Sequence, residues 1–134
     1  NRINIPAPLR KQFSTKDKKT FVVTRGIDQC AWIYPISEWN FIQNELKQLS
    51  SLSKTNRIFL RNHLRHANIL KFDSQGRFVL PQSLIDYSAI KKDVTIIGVL
   101  NKIEIWNPNL LRKIDQSDEI DDQSYEELSE RVNI

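Results

Sequence analysis

The chain has 134 residues, the size of one ordinary domain or two very small ones. Lysine and arginine number 20 against 16 aspartate and glutamate, a net charge of +4 with a pI near 9.3. No apolar run approaches the roughly 20 residues of a bilayer-crossing helix, and no signal-like apolar segment is present. A single cysteine, Cys30, excludes an internal disulfide framework and fits a reducing compartment. The sequence contains no Met and opens on Asn1-Arg2, which predicts a natural start ahead of it.

In chain order, residues 2–5 read as a short strand, and Pro6 starts a helical turn through residue 12. Residues 21–24 and 31–34 are apolar runs of strand length. Ser37 is placed to cap a helix carrying Trp39, Ile42, Leu46 and Leu49 at helical spacing. Ser50-Ser51-Leu52-Ser53 breaks it, and Thr55 is placed to cap a second helix with Ile58, Phe59, Leu60 and Leu64 apolar. Residues 69–72 form the next strand and residues 77–80 its return. Asp73-Ser74-Gln75-Gly76 between them is a tight hairpin turn: Asp suits the first position, Gly the last, where φ is positive. Pro81 ends the return strand and starts a helical turn through Tyr87. The β-branched run at 94–99 predicts a buried strand, and Ile103-Glu104-Ile105-Trp106 alternates as a strand with one wet face. Residues 108–114 form a short closing helix with Pro108 at its first turn. The tail has weak helical character around residues 125–132 and is otherwise expected to be disordered.

The chain repeats itself. Arg2, Pro6 and Leu9 recur as Arg77, Pro81 and Leu84 at an offset of 75. Gly26, Ile33 and Tyr34 recur as Gly98, Ile105 and Trp106 at an offset of 72. The first copy therefore has a connector three residues longer, a difference that loops tolerate. Two copies are too few for a solenoid and suit a pseudo-twofold pair of small β units. Strands this short cannot bury a core alone, so the copies must complete each other. The organisation expected is a first half over residues 1–40, a helical insert over 41–68, a second half over 69–114 and an acidic tail over 115–134.

Charge is unevenly placed. Residues 1–114 carry nineteen basic against eight acidic side chains, a net of +11, whereas residues 115–134 carry −7. A basic body points to a polyanionic partner. Arg57, Arg61 and Arg65 recur every four residues and share one helix face. They can contact phosphates, pair with the acidic tail of another subunit, or form a solvated face. His63 and His66 lack the third ligand that a metal site needs, so no metal is expected. Cys30 reads as a small buried apolar residue, and Trp32, Tyr34, Trp39 and Trp106 as packing groups. No Gly-rich phosphate loop, G-x-S-x-G or H-E-x-x-H occurs, which leaves no basis for enzymatic activity or a cofactor. The turn Asp73-x-x-x-Arg77 stands out, because Asp73 can hold Arg77 or the turn's own N–H groups. Arg77 then leaves the turn as a forked donor suited to a phosphate or a guanine edge. Arg2 holds the same place in the first copy, and Asn1 sits where Gly76 sits.

Several blocks together resemble the MraZ family of bacterial transcriptional regulators, built from two tandem SpoVT/AbrB-like swapped-hairpin halves. They are Asn1-Arg2-Ile3-Asn4-Ile5-Pro6, Phe21-Val22-Val23-Thr24-Arg25-Gly26, Tyr34-Pro35-Ile36-Ser37-Glu38-Trp39, Asp73-Ser74-Gln75-Gly76-Arg77 and Val99-Leu100-Asn101-Lys102-Ile103-Glu104-Ile105-Trp106. The tail block Leu128-Ser129-Glu130-Arg131 adds to the likeness. The resemblance implies an α+β, mainly β fold whose two halves form a pseudo-twofold β-barrel with a helical insert and an acidic tail. It implies a cytoplasmic, nucleoid-associated repressor that forms ring-like homo-oligomers. Its partner would be double-stranded promoter DNA, at repeats ahead of the division and cell-wall gene cluster, with no membrane and no small-molecule substrate. Each family half carries a D-x-x-x-R turn whose Arg serves DNA binding. Carried over, Arg77 and Arg2 are the DNA-binding arginines and Asp73 supports the turn, with Gly76 beside it; Asn1, Arg10 and Lys11 around the turns are expected to bind DNA as well, the basic ones by neutralising phosphates. The first copy's Asp lies outside this sequence. Two rivals remain: an antitoxin-like module whose acidic tail neutralises a partner, and a small enzyme lacking any visible acid, base or nucleophile.

Overall fold

The structure, a computed structural model, describes residues 2–11, 13, 19–117 and 121–132. Its layering follows from the strand Thr20–Arg25 (β2). Phe21 and Val23 face one way, Val22 and Thr24 the other, and all four are buried. A strand buried on both faces needs a covering layer on each side. Ala31–Pro35 (β3) is likewise buried along its length, and Lys102–Trp106 (β7) continues the pattern. With Asn68–Lys71 (β4) and Thr95–Val99 (β6) these strands form an antiparallel sheet in the order β4-β2-β3-β7-β6.

A separate ribbon pairs Arg2–Asn4 (β1) with Arg77–Val79 (β5), antiparallel. Its Ile3 and Phe78 join Phe21, Val23, Ile33, Ile103 and Ile105 in one core on one face of the sheet. Phe13, Phe21, Phe72 and Phe78 meet there ring to ring, with Phe21 and Phe72 stacked at 4.3 Å. Gln82–Ser88 (α4) seals this side through fully buried Leu84, and Ala7–Arg10 (α1) adds Leu9. The opposite face carries Val22, Cys30, Trp32, Tyr34 and Trp106. Ile36–Leu46 (α2) covers it with buried Trp39, and Pro108–Asp115 (α5) with Leu110 and Leu111. Lys54–Arg65 (α3) adds buried His63, whose carbonyl accepts from Thr24 Oγ1 at 2.5 Å. Asp122–Arg131 (α6) follows, its N-terminus capped by Asp121 accepting from the Ser124 N–H. The fold is thus α+β, and the four aromatic residues Trp32, Tyr34, Trp39 and Trp106 are packing groups as expected.

The pairing registers reproduce the internal repeat. In the ribbon Arg2 faces Val79, Ile3 faces Phe78 and Asn4 faces Arg77. Exchanging each residue for its equivalent at offset 75 returns the same ladder, centred on Ile3 and Phe78. In the sheet Ala31 faces Ile105, Trp32 faces Glu104 and Ile33 faces Ile103, which is self-equivalent at offset 72. Glu104 accepts from the indole N–H groups of both Trp32 and Trp106 at 3.0 Å, tying the two halves at this centre.

Several expectations change. The strands on either side of the Asp73 turn do not form a hairpin. β4 pairs with β2 in the sheet and β5 pairs with β1 in the ribbon, so the chain crosses between layers at the turn. The described residues form two sheets and no closed barrel, with β4 and β6 as the edges of the larger one. β6 pairs only with β7 among the described residues, so it is a partly exposed edge strand and not the buried one expected from its composition. Helix α2 starts at Ile36, directly after Pro35, which fixes the entry φ, so Ser37 lies inside its first turn and Leu49 beyond its end. Helix α3 is capped by Ser53, accepting from the Asn56 N–H at 3.2 Å, and Thr55 lies within the first turn. The tail forms a ten-residue helix where only weak helical character is expected.

Because Phe78 anchors the ribbon in the aromatic cluster, Phe78→Ala is expected to cost about 3–5 kcal/mol. Urea unfolding read as a change in midpoint at constant slope checks it.

Candidate nucleic-acid interface

Strand alternation decides what the ribbon shows to solvent. With Ile3 and Phe78 turned inward, Arg2, Asn4, Arg77 and Val79 occupy the outward face. Arg2, Asn4 and Val79 are exposed and Arg77 is half-buried. Arg2 sits opposite Val79, two residues from Arg77, so the two arginines are diagonal neighbours about 7–8 Å apart at the backbone. A two-stranded ribbon of this kind fits the width of the DNA major groove.

The turn that launches Arg77 is held by one carboxylate. Asp73 Oδ1 accepts from the N–H of Gln75 at 2.8 Å and of Arg77 at 2.9 Å. Its Oδ2 accepts from Arg77 Nε at 3.2 Å, the one salt bridge among the described residues. The Asp73 N–H donates to the Arg77 carbonyl at 2.8 Å, and the Gly76 N–H to the Asp73 carbonyl at 3.0 Å. The Arg77 N–H, with the Gln75 N–H and the guanidinium, holds the Asp73 carboxyl below its ordinary value of 3.8. Arg77 spends Nε on this contact. Its terminal nitrogens make no hydrogen bond among the described residues, so the paired end of the fork faces outward.

The first half reaches into the same turn. The Ile5 N–H donates to the Gly76 carbonyl at 3.3 Å. Arg10, at the end of α1, lays its guanidinium against Gly76, where a Cβ would collide with Nη1, Cζ and Nε. Gly76 has φ +78, the left-handed conformation expected for the turn's last position. Arg10 Nε is buried with no hydrogen-bond partner among the described residues, so the contact is one of packing. Arg2, Arg10, Asp73, Gly76 and Arg77 are thereby one surface, with Lys11 exposed at the end of α1. Asn1 lies outside the described residues. Sequence reasoning missed Asn4 and Val79 on the outward face. Their signal was available, since both lie two residues from an outward arginine.

Other singled-out groups serve packing. Cys30 is fully buried in the second core, and burial and Glu104 push its thiol up to about 12, which favours the protonated form. His63 is buried among Trp32, Tyr34, Trp39 and Phe59, stacked on Phe59 at 5.5 Å, and burial lowers its pKa. No group of three potential metal ligands occurs among the described residues. No helix among them is long and apolar enough to cross a membrane.

These features define a class: a two-repeat α+β protein that presents an arginine at the equivalent point of each repeat. The model of one family, described as "MraZ protein, putative antitoxin-like", matches residues 1–62 and again residues 63–132. Relatives called "Transcriptional regulator MraZ" span nearly the whole chain. The one from Clostridium botulinum (strain Alaska E43 / Type E3) is 38% identical over 99% of this chain and 88% of its own length. That of Clostridium tetani (strain Massachusetts / E88) is 36% identical over the same shares. That of Pediococcus pentosaceus (strain ATCC 25745 / CCUG 21536 / LMG 10740 / 183-1w) is 34% identical over 98% and 87%. The chain belongs to the MraZ family.

Gly76→Ala strains a positive φ and displaces Arg10, and is expected to cost about 1–2 kcal/mol. Thermal unfolding checks this. Asp73 has a folded-state pKa below its unfolded one, so its contribution is complete above the ordinary value of 3.8. It is lost as pH falls through the lower folded value. A carboxyl-carbon NMR titration in which Asp73 protonates at a lower pH than exposed aspartates is the expected result.

Proposed function

We propose that this chain is a sequence-specific DNA-binding transcriptional regulator, a repressor acting without catalysis. The observation that carries the reading is the outward face of the ribbon, where Arg2 and Arg77 stand diagonally with Arg10 beside them. The basic side chains neutralise phosphates, and the free ends of the turn arginines discriminate bases or groove shape. One such ribbon spans only a few base pairs. Specificity then arises from several subunits of a ring-like homo-oligomer engaging repeated promoter sites together, through effective concentration. On this reading the protein acts on the nucleoid, at promoter repeats of the division and cell-wall gene cluster. The names of its relatives support the regulatory role.

A second reading has one observation in its favour. The family description includes "putative antitoxin-like", and α6 is an acidic helix with no buried residue. An antitoxin-like module would use that helix to occupy a basic partner. A pull-down with and without residues 115–134 separates the two, because the DNA reading needs the ribbon and not the tail.

Arg2→Ala and Arg77→Ala are each expected to weaken promoter-fragment binding by about 1–3 kcal/mol. With about three phosphate contacts in each of two engaged subunits, the log–log salt slope is expected to be roughly −5. Fluorescence anisotropy across a salt series, on fragments selected from a random library, measures both. Unchanged binding by both variants removes these side chains from the mechanism.

A further inference from the structure

The outward face of the ribbon holds more than its two arginines. It consists of two rungs of the ladder. Arg2 faces Val79 on one, and Asn4 faces Arg77 on the other. Side chains opposed in this way stand about 5 Å apart at Cβ, so each guanidinium has one close companion. At the repeat offset of 75, Arg2 is equivalent to Arg77 and Asn4 to Val79. The arginines thus obey the pseudo-twofold relation centred on Ile3 and Phe78, and their companions break it.

The fold uses neither companion side chain. Val79 is 55% exposed, whereas its neighbour Phe78 is buried. Asn4 is exposed, and its side chain makes no hydrogen bond among the described residues. An isolated exposed valine is ordinary on a protein surface. This one lies directly opposite an arginine on a basic face, and an amide lies opposite the other arginine. The spacings of strand and duplex also match. Residues two apart on a strand are about 7 Å apart, two base-pair steps of about 3.4 Å each. A ribbon lying along the major groove therefore sets its rungs about two base pairs apart. In that groove the thymine methyl is the apolar feature, and adenine presents the N7 acceptor and N6 donor that a carboxamide matches. The guanidinium on each rung suits guanine O6 and N7.

We propose that Asn4 and Val79 are specificity-determining residues. Val79 packs on a thymine methyl beside the base read by Arg2. Asn4 bonds to N6–H and N7 of an adenine beside the base read by Arg77. Because the companions differ, the two ends of a pseudo-symmetric ribbon read different base pairs, and the direction of the chain on the duplex is fixed. The inference rests on DNA recognition by the ribbon and assigns what that recognition selects beyond guanine.

Base analogues test it, since each removes one groove group and keeps the base pair. The probe is a fragment selected from a random DNA library by the full chain. Its thymines are replaced singly by deoxyuracil and its adenines singly by 7-deazaadenine, and binding is read by anisotropy at fixed salt. One thymine is expected whose replacement weakens binding about four-fold, the worth of one buried methyl group. One adenine is expected whose replacement weakens it several-fold, through loss of the N7 acceptor. Val79→Ser abolishes the thymine penalty and keeps the adenine one; Asn4→Ala does the reverse. Both side chains are exposed, so an unchanged Tm is expected for each variant. Penalties that persist in the variants overturn the proposal, as does a selected fragment with no sensitive thymine or adenine. If Arg2→Ala and Arg77→Ala weaken binding while both analogues are tolerated, the base assignment fails and the ribbon remains the DNA face. If both arginine variants bind as the wild type does, the two readings fail together.

Discussion

The pairing of Ile3 with Phe78 is the constraint from which the rest of the structure follows. The two residues come from equivalent places in the two repeats and meet at the centre of a ladder that neither repeat can form alone. Three-residue strands gain too little from local pairing to persist in water. Here each draws stability from an aromatic core fed by both halves, in which Phe78 touches Phe21 and Phe72. Burying those two inward side chains forces their neighbours outward, so the same alternation that builds the core exposes the arginines. Function and stability are set by one register, and a slip of one residue would exchange them.

The turn at Asp73 adds a second layer to this coupling. Its carboxylate satisfies two backbone N–H groups and the Nε of Arg77, which leaves a rigid turn and an oriented guanidinium. Yet the turn is not an autonomous hairpin, since its two strands leave for different sheets. It is stabilised from the other repeat, through the Ile5 amide and the Arg10 side chain. The absence of a side chain at Gly76 therefore answers two needs at once: a positive φ and room for Arg10.

Much of this was legible in the sequence because it is local. The repeat, the turn with its glycine, Pro81 ahead of a helix and the burial of Cys30 all follow from residue type and spacing. What stayed hidden was partnership. Period-two alternation states which face of a strand is apolar but not which strand lies beside it, so residues 69–72 and 77–80 read as a hairpin. The edge position of β6 depends on which strands pair with it, only β7 among the described residues, and not on its own β-branched residues. Helix starts were displaced for a similar reason. The stretch Ser50-Ser51-Leu52-Ser53-Lys54-Thr55 offers several capping oxygens, and only tertiary placement selects Ser53. The contact between Arg10 and Gly76 joins residues 66 apart, which no local pattern encodes.

The interleaved architecture couples the two halves. Arg2 and Arg77 lie on strands of different repeats, and each strand takes its register from the other, so damage to the shared core loosens both. At the Asp73 turn the second repeat supplies the oriented donor, while the first supplies the Ile5 amide and the Arg10 side chain that pack against Gly76. Presentation of the arginine and packing of the core are therefore one structural problem, solved jointly by residues far apart in sequence.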